Sequence, residues 1–173
     1  MGMRTVFRWI WWMAAVPALI GADSTQTVVL VRHAERAGGM APEIGLSDAG
    51  KCRAQVLSGM LADAGVTSIF TSDVARTQQT AEPLAKKLGI RAETLDAKDY
   101  NALLGKLKSA GGVALVVGHS NTLPEIISRL GAGTVQPIGD DDYDRLFVVT
   151  VAAGKASVLT LHYAGCAAAR LER

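Results

Sequence analysis

Two arginines and two histidines in this sequence have the side-chain chemistry that phosphoryl transfer requires. They are Arg32, His33, Arg76 and His119. A guanidinium group can bind two phosphate oxygens at once. A neutral imidazole is a nucleophile that needs no metal, and a second, protonated imidazole can neutralise charge on the equatorial oxygens. Because phosphoryl transfer depends mostly on positioning and charge stabilisation, this set predicts an anion site with a nucleophile.

Each of these residues lies at or shortly after the end of a predicted strand. Apolar, β-branched runs predict buried strands at 27–31, 66–70 and 113–117. The carboxyl ends of parallel strands meet at one edge of a sheet, which is where ligands bind in such folds. We therefore expect the two arginines and two histidines to converge on that edge.

Alternating strands and helices predict an α/β fold: a three-layer sandwich with a mainly parallel sheet flanked by helices. A further strand is predicted at 90–95, and a C-terminal hairpin joins strands 146–151 and 156–163. The first helix begins at Ser47, a good N-cap, and Gly65 closes it. The other helices are predicted at 74–88, which we expect Pro83 to kink or split, and at 100–107 and 123–130.

Four segments in order along the chain resemble motifs of one enzyme family. They are VRHAE at 31–35, LSDAG at 46–50, TSDVARTQQTA at 71–81 and VVGHS at 116–120. Together they resemble the histidine phosphatase superfamily. The resemblance implies a phosphoglycerate mutase-like fold, a phosphohistidine intermediate on His33, and a phosphate pocket of Arg32, Arg76 and His119.

The departures from the family's subgroups favour a small, cap-less phosphatase of the phosphoglycerate mutase-like branch. Gly39 stands where the mutases have Asn, and Ser120 stands where the phytase-like branch has Asp or Glu after its second histidine. No inserted cap segment is visible in the sequence. The resemblance thus implies a phosphatase for phosphomonoesters, either small molecules or phosphoproteins, that uses no metal or cofactor.

The acid that protonates the leaving group stays open at this point. The family often takes a carboxylate from the stretch after the helix that contains Arg76, where the candidates are Glu93, Asp96 and Asp99. Glu35 lies nearer the nucleophile in sequence, and some small members lack a dedicated acid. Glu35 could instead pair with Arg36, which either contacts substrate or is an ordinary surface charge.

Several other polar residues are interpreted as structural. The acidic run Asp140–Asp142, with Asp144, predicts a solvated loop that could discourage anionic partners. Tyr143 and Tyr163 are expected to pack, and His162 lies within a predicted strand.

The first 22 residues have the layout of a secretory signal peptide. Arg4 and Arg8 precede an uncharged apolar run that ends in small residues, and the run is shorter than a membrane-spanning helix needs. We expect residues 1–22 to be a signal peptide, or alternatively an N-terminal anchor, and 23–173 to be a single domain of an exported protein. The 18 Lys and Arg exceed the 16 Asp and Glu by two. Cleavage of the leader would remove Arg4 and Arg8, so residues 23–173 would have no net charge. This charge balance does not suggest a nucleic-acid partner.

The sequence contains two cysteines, Cys52 and Cys166. An oxidising compartment would allow them to pair. Cys52 falls on the apolar side of a predicted helix, and we favour two buried free thiols while pairing stays open. Their wide separation, without a CxxC motif, argues against a zinc site.

Two rival functions fit parts of the sequence. Ser120 follows a strand and precedes a helix, as the nucleophile of a serine hydrolase does, but Thr122 stands where that turn needs Gly. Alternatively, the arginines and histidines could bind a phosphorylated partner without turnover. Retention of both histidines argues against a binding module, since binding alone needs no nucleophile.

Overall fold

The computed structural model describes residues 25–39 and 41–166, so the predicted leader lies outside the described residues. In chain order, the elements of this part are β1 (Gln26–Arg32), α1 (Asp48–Leu61), β2 (Val66–Thr71), α2 (Ala75–Leu88), β3 (Glu93–Thr94), α3 (Tyr100–Ala110), β4 (Val113–Gly118), α4 (Leu123–Arg129), β5 (Arg145–Ala152) and β6 (Lys155–His162). The strands form one six-stranded sheet in the order β3-β2-β4-β1-β5-β6. No helix in the described ranges is long and apolar enough to cross a membrane.

The sheet is mainly parallel and is covered by helices on both faces. β1 and β3 flank the parallel pair of β2 and β4, while β5 runs antiparallel to β1 and to β6. Helices α1 and α2 pack on one face, where Leu57 and Leu84 meet Val31. Helices α3 and α4 pack on the other, where Leu107 and Ile127 belong to the second core. The predicted three-layer sandwich is confirmed.

The inner strands are apolar throughout because both of their faces are buried. Successive residues of β1 alternate between the two cores: Val28 and Leu30 belong to one, and Val29 and Val31 to the other. Because both faces of β1 are packed, the position of its last residue is fixed. That residue, Arg32, directly precedes His33.

The predicted C-terminal hairpin is present. β5 and β6 pair along their length, from Ala152 with Lys155 to Arg145 with His162. The two residues of the turn, Ala153 and Gly154, both have positive φ, at 49° and 72°. Two central residues with positive φ match the twist of the adjoining strands.

Two of the predicted elements differ from the structure. Pro83 does not split its helix, since α2 runs unbroken from Ala75 to Leu88. The prolyl ring removes one hydrogen bond, but Thr80, Ala81 and Leu84 fix the helix against the sheet by burying their side chains. The strand predicted at 90–95 is only the pair Glu93–Thr94 at the sheet edge.

Cys52 and Cys166 form a disulfide, with their Cα atoms 5.8 Å apart. The favoured interpretation of two free thiols is therefore wrong. Cys52 lies on α1 near its N-terminal end, and the segment after β6 passes over that end of the helix, where Arg53 donates to the Tyr163 carbonyl. The bond ties the end of the described chain to the helix that follows the first motif.

Candidate active site

The two histidines lie side by side because β1 and β4 are neighbours in register. Arg32 pairs with Gly118, and the His33 amide donates to the Gly118 carbonyl at 2.9 Å. The next residue on each strand is a histidine, and the two imidazole centroids are 5.4 Å apart. His33 and His119 are far apart in sequence, and they come into contact because β1 and β4 are neighbours in the sheet.

Helix α2 brings Arg76 to the same edge of the sheet. The Thr80 hydroxyl accepts from the Ala34 amide at 2.9 Å and donates to the Arg76 carbonyl at 2.7 Å. This one side chain joins the loop after β1 to the first turns of α2. Thr80 belongs to the 71–81 motif, and that motif was the only sequence signal for its role.

The imidazole of His33 is buried and has a defined tautomer. Its Nδ1 lies 2.8 Å from the Ala34 carbonyl, which can only accept, so Nδ1 bears the hydrogen and Nε2 has a free lone pair. Burial lowers the pKa of His33 from 6.5 to about 4, and the positive charges of Arg76 and Arg32 act in the same direction. His33 is therefore neutral at pH 7, as a nucleophile must be.

His119 is held by a chain of hydroxyl groups. Its Nε2 lies 2.9 Å from the Ser72 hydroxyl, which lies 3.0 Å from the Thr77 hydroxyl. Thr77 donates to the backbone carbonyls of Ser72 and Val74, which favours Ser72 as donor to Thr77 and as acceptor from His119. Ser72 and Thr77 are site residues whose roles the sequence did not assign.

The surroundings of His119 favour its neutral form, whereas the role that the sequence suggested for it needs a protonated imidazole. Burial lowers its pKa from 6.5 to about 4, with further lowering by Arg76 and Arg32. A phosphoryl group between the two arginines would add negative charge beside His119 and so raise this pKa. A bound oxyanion would therefore favour protonation of His119.

Neither guanidinium in the site has a carboxylate partner within residues 25–39 and 41–166. The ion pairs of these ranges do not include Arg32 or Arg76, and the Nε atom of each is buried without a hydrogen bond. Burial lowers the pKa of Arg76, and the nearby charges of Arg36 and Arg32 add to this lowering. Unpaired positive charge of this kind favours an anionic ligand.

Glu35 is not available as the leaving-group acid. Its carboxylate accepts three hydrogen bonds from Arg53 at 2.7–3.0 Å, and these hold the pKa of Glu35 below its usual 4.5 despite its partial burial. Of the alternatives left open for Glu35, the pairing with Arg36 is not the one observed, because Arg53 of α1 is the partner. Arg36 instead lies near enough to Arg76 for its charge to act there.

Among the other candidate acids, Asp96 lines a cavity with His119. Glu93 pairs with Lys106 at 2.7 Å, and Asp99 caps α3. Asp96 shares a cavity of about 30 Å³ with Ser72 and His119, which is room for about one water molecule. Through one oxygen it also accepts from the Lys98 amide.

The glycine of the 46–50 motif lets α1 pass close to the nucleophile loop. A Cβ atom at Gly50 would lie 2.1 Å from the Glu35 carbonyl oxygen. The helix starts there because Ser47 caps it, accepting from the Gly50 amide at 3.1 Å and donating to the same Glu35 carbonyl at 3.2 Å. The motif therefore fixes backbone geometry and supplies no chemistry.

Tyr143 belongs to the site, although the sequence suggested only packing. Its ring centroid lies 4.2 Å from Cζ of Arg32 and 6.1 Å from the His33 ring. The expected loop at Asp140–Asp142 is mostly exposed, but its backbone also contacts Arg32.

The serine hydrolase interpretation finds no support in the site. Ser120 makes no hydrogen bond to a histidine in the described ranges, and His162 is exposed on β6, where it pairs with Asp144 at 2.9 Å. No cluster of three or more His, Cys, Asp or Glu suitable for a metal ion occurs in the same ranges.

Comparisons with known proteins agree with the motifs. The model of the histidine phosphatase superfamily (branch 1) matches residues 28–98, which include Arg32, His33 and Arg76. No curated protein sequence matches the chain.

Several solved structures share the fold at low sequence identity. The protein histidine phosphatase SixA complexed with tungstate is 20% identical, with a TM-score of 0.65 over 79% of this chain and 96% of that one. The alpha-ribazole phosphatase from Shigella flexneri is 16% identical, with a TM-score of 0.63 over 79% and 96%. A mycobacterial glucosyl-3-phosphoglycerate phosphatase is 13% identical, with a TM-score of 0.63 over 80% and 98%. The resemblance inferred from the motifs is confirmed: residues 28–98 match the histidine phosphatase superfamily, branch 1, and the described chain has the phosphoglycerate mutase-like fold of these phosphatases.

Proposed function

We propose that the protein is a metal-independent phosphatase that hydrolyses phosphomonoesters through a phosphohistidine on His33. The observation that carries the proposal is the free Nε2 lone pair of a buried, neutral His33 beside two guanidinium groups that form no ion pair within residues 25–39 and 41–166. A site for binding alone would need the arginines but not a desolvated nucleophile next to them.

The reaction has two steps. His33 Nε2 attacks phosphorus, the P–N bond forms, and the P–O bond to the leaving group breaks, while the departing oxygen takes a proton from Asp96 or from water. Water then attacks phosphorus, the P–N bond breaks, and the proton that this water loses goes to the same acceptor, so that phosphate and neutral His33 result. Arg32 and Arg76 offset charge on the equatorial oxygens, and His119 joins them once the bound anion has raised its pKa.

The substrate class is a phosphomonoester, whether a small molecule or a phosphoprotein, that reaches a site to which residues 25–39 and 41–166 add no inserted cap. A proposed oxidising location is supported by the Cys52–Cys166 disulfide, since structural disulfides persist mainly in exported proteins. Export itself depends on residues 1–22, which lie outside the described residues.

Phosphate release from a panel of phosphomonoesters, in the presence of a chelator, tests the proposal. We expect turnover that vanadate inhibits, and a phosphoryl group trapped on the peptide that contains His33. His33→Ala should lower kcat by at least about 1,000-fold, whereas His162→Ala, the matched change at an exposed histidine, should not.

Two results would reject a phosphohistidine enzyme. One is full activity in His33→Ala. The other is tungstate binding by the wild type without turnover of any phosphomonoester, which would favour the phospho-ligand binding module. We expect His33→Ala to fold although His33 is only 3% exposed, because the change removes a polar ring whose burial is itself costly.

A further inference from the structure

The acidic loop before β5 holds one of the site arginines. Nη1 of Arg32 donates to the backbone carbonyls of Gly139, Asp140 and Asp142, at 2.7, 2.8 and 3.2 Å. Nη1 has two hydrogens, so at least one of the three carbonyls shares a hydrogen with another, and the positive charge strengthens each contact. The loop therefore binds Nη1 of the Arg32 guanidinium through backbone carbonyls and not through its acidic side chains.

These contacts fix the orientation of the whole guanidinium. The group is planar, so anchoring Nη1 on one side and stacking the face on Tyr143 at 4.2 Å leaves little rotational freedom. The remaining edge, formed by Nε and Nη2, is the one that can bind two phosphate oxygens. Nε on this edge is buried and has no hydrogen bond within the described residues.

Asp142 gives the loop its shape. Its Oδ2 accepts from the Gly139 amide at 3.0 Å and from Nη2 of Arg145 at 2.8 Å. Arg145 in turn donates to the carbonyls of Gln136 and Pro137. The Asp142 amide also donates to the Gly139 carbonyl at 3.2 Å, which closes the turn. One carboxylate thus makes the loop carbonyls converge on Arg32.

We propose that Asp142 is a positioning residue for the phosphate site, which acts on Arg32 through the backbone of the loop. The inference rests on the proposed function, since it assigns Arg32 to phosphate. Within the described residues the Asp142 carboxylate bonds to Gly139 and Arg145 and makes no hydrogen bond to His33. Its carboxylate holds the carbonyls of Gly139, Asp140 and Asp142 where they set the Arg32 plane, so its loss loosens an otherwise preorganised anion site.

Oxyanion binding by the full chain tests this role apart from catalysis. Tungstate and inorganic phosphate affinities are measured by calorimetry for the wild type, Asp142→Ala and Asp142→Asn, well below each variant's unfolding temperature. We expect Asp142→Ala to weaken tungstate binding by about tenfold or more. Asp142→Asn should weaken it less, because the amide oxygen can still accept from Gly139.

Asp141→Ala is the matched control. Asp141 is the neighbouring acidic residue, is exposed, and makes no side-chain hydrogen bond or ion pair in the described ranges. It should bind tungstate within twofold of the wild type. If Asp141→Ala weakens binding as much as Asp142→Ala, the effect is one of loop charge and the proposal is wrong.

A merely structural role would lower the unfolding temperature of Asp142→Ala and leave tungstate affinity unchanged, which would also overturn the proposal. If Asp142→Ala does not fold, Arg145→Gln removes a partner of the same carboxylate and should weaken tungstate binding in its place. If the wild-type protein binds tungstate but hydrolyses no phosphomonoester, the proposed phosphatase activity is rejected. The comparison of tungstate affinities among the variants then still decides the role of Asp142. Wild-type protein that binds no oxyanion would reject both.

Discussion

The buried His33 should make the stability of the protein depend on pH in a window set by its low pKa. Burial holds this pKa at about 4 in the folded chain, against 6.5 for a free imidazole. Between these values the unfolded chain binds a proton that the folded chain does not. Stability rises with pH wherever the unfolded state binds more protons, so the unfolding free energy should fall as pH drops from about 6.5 towards 4.

The linkage relation gives the size of the effect. Between pH 7 and pH 5, a group with these two pKa values costs the folded protein about 2 kcal/mol, to order of magnitude. His33→Gln has no such group and should lose about 2 kcal/mol less than the wild type over the same interval. The contributions of His119 and of the carboxylates remain in both proteins and largely cancel in the comparison.

Urea unfolding of the wild type and His33→Gln at pH 5, 6 and 7 measures this difference. His162→Gln shows what removal of an exposed imidazole does to the same curves. If the wild type and His33→Gln lose the same free energy between pH 7 and pH 5, His33 is not held neutral by burial. The argument for a neutral nucleophile at low pH would then fail.

The disulfide closes a long loop, because Cys52 and Cys166 are separated by 114 positions. Cys166→Ser should therefore lower the unfolding free energy by about 2–5 kcal/mol. An unfolding midpoint that neither this substitution nor a reductant shifts would contradict the pairing. Gly50→Ala forces a Cβ against a backbone carbonyl and should destabilise by about 1–3 kcal/mol. Gly59→Ala, on the same helix with open space around it, should stabilise by up to about 1 kcal/mol, and equal effects in urea unfolding would refute the close approach. Asp96→Asn should lower kcat for alkyl phosphates more than for an aryl phosphate with a good leaving group, and equal losses would show that Asp96 does not protonate the leaving group.

Local patterns were sufficient to predict the layers of the fold and which candidate site residues would lie together. Buried strands in a parallel sheet are continuous apolar runs, and the residues after them must lie at one edge. Arg32, His33, Arg76 and His119 were predicted in this way and do lie together. One failure was local: packing of α2 outweighed the helix-breaking tendency of Pro83, because a single lost hydrogen bond is small beside a buried face. The failure at Cys52 and Cys166 was not local, because their bond joins residues 114 positions apart.

The sequence by itself determined which side chains could perform phosphoryl chemistry, because residue type and strand-end position are both local properties. Only the tertiary structure decided what surrounds them. Glu35 pairs with Arg53 and not with the adjacent Arg36. Arg32 donates to the Asp142 carbonyl, which is 110 positions away in sequence. The pKa of His33 likewise depends on burial and on charges from other elements. Contacts between segments distant in sequence follow from the order of strands in the sheet, which no local pattern records.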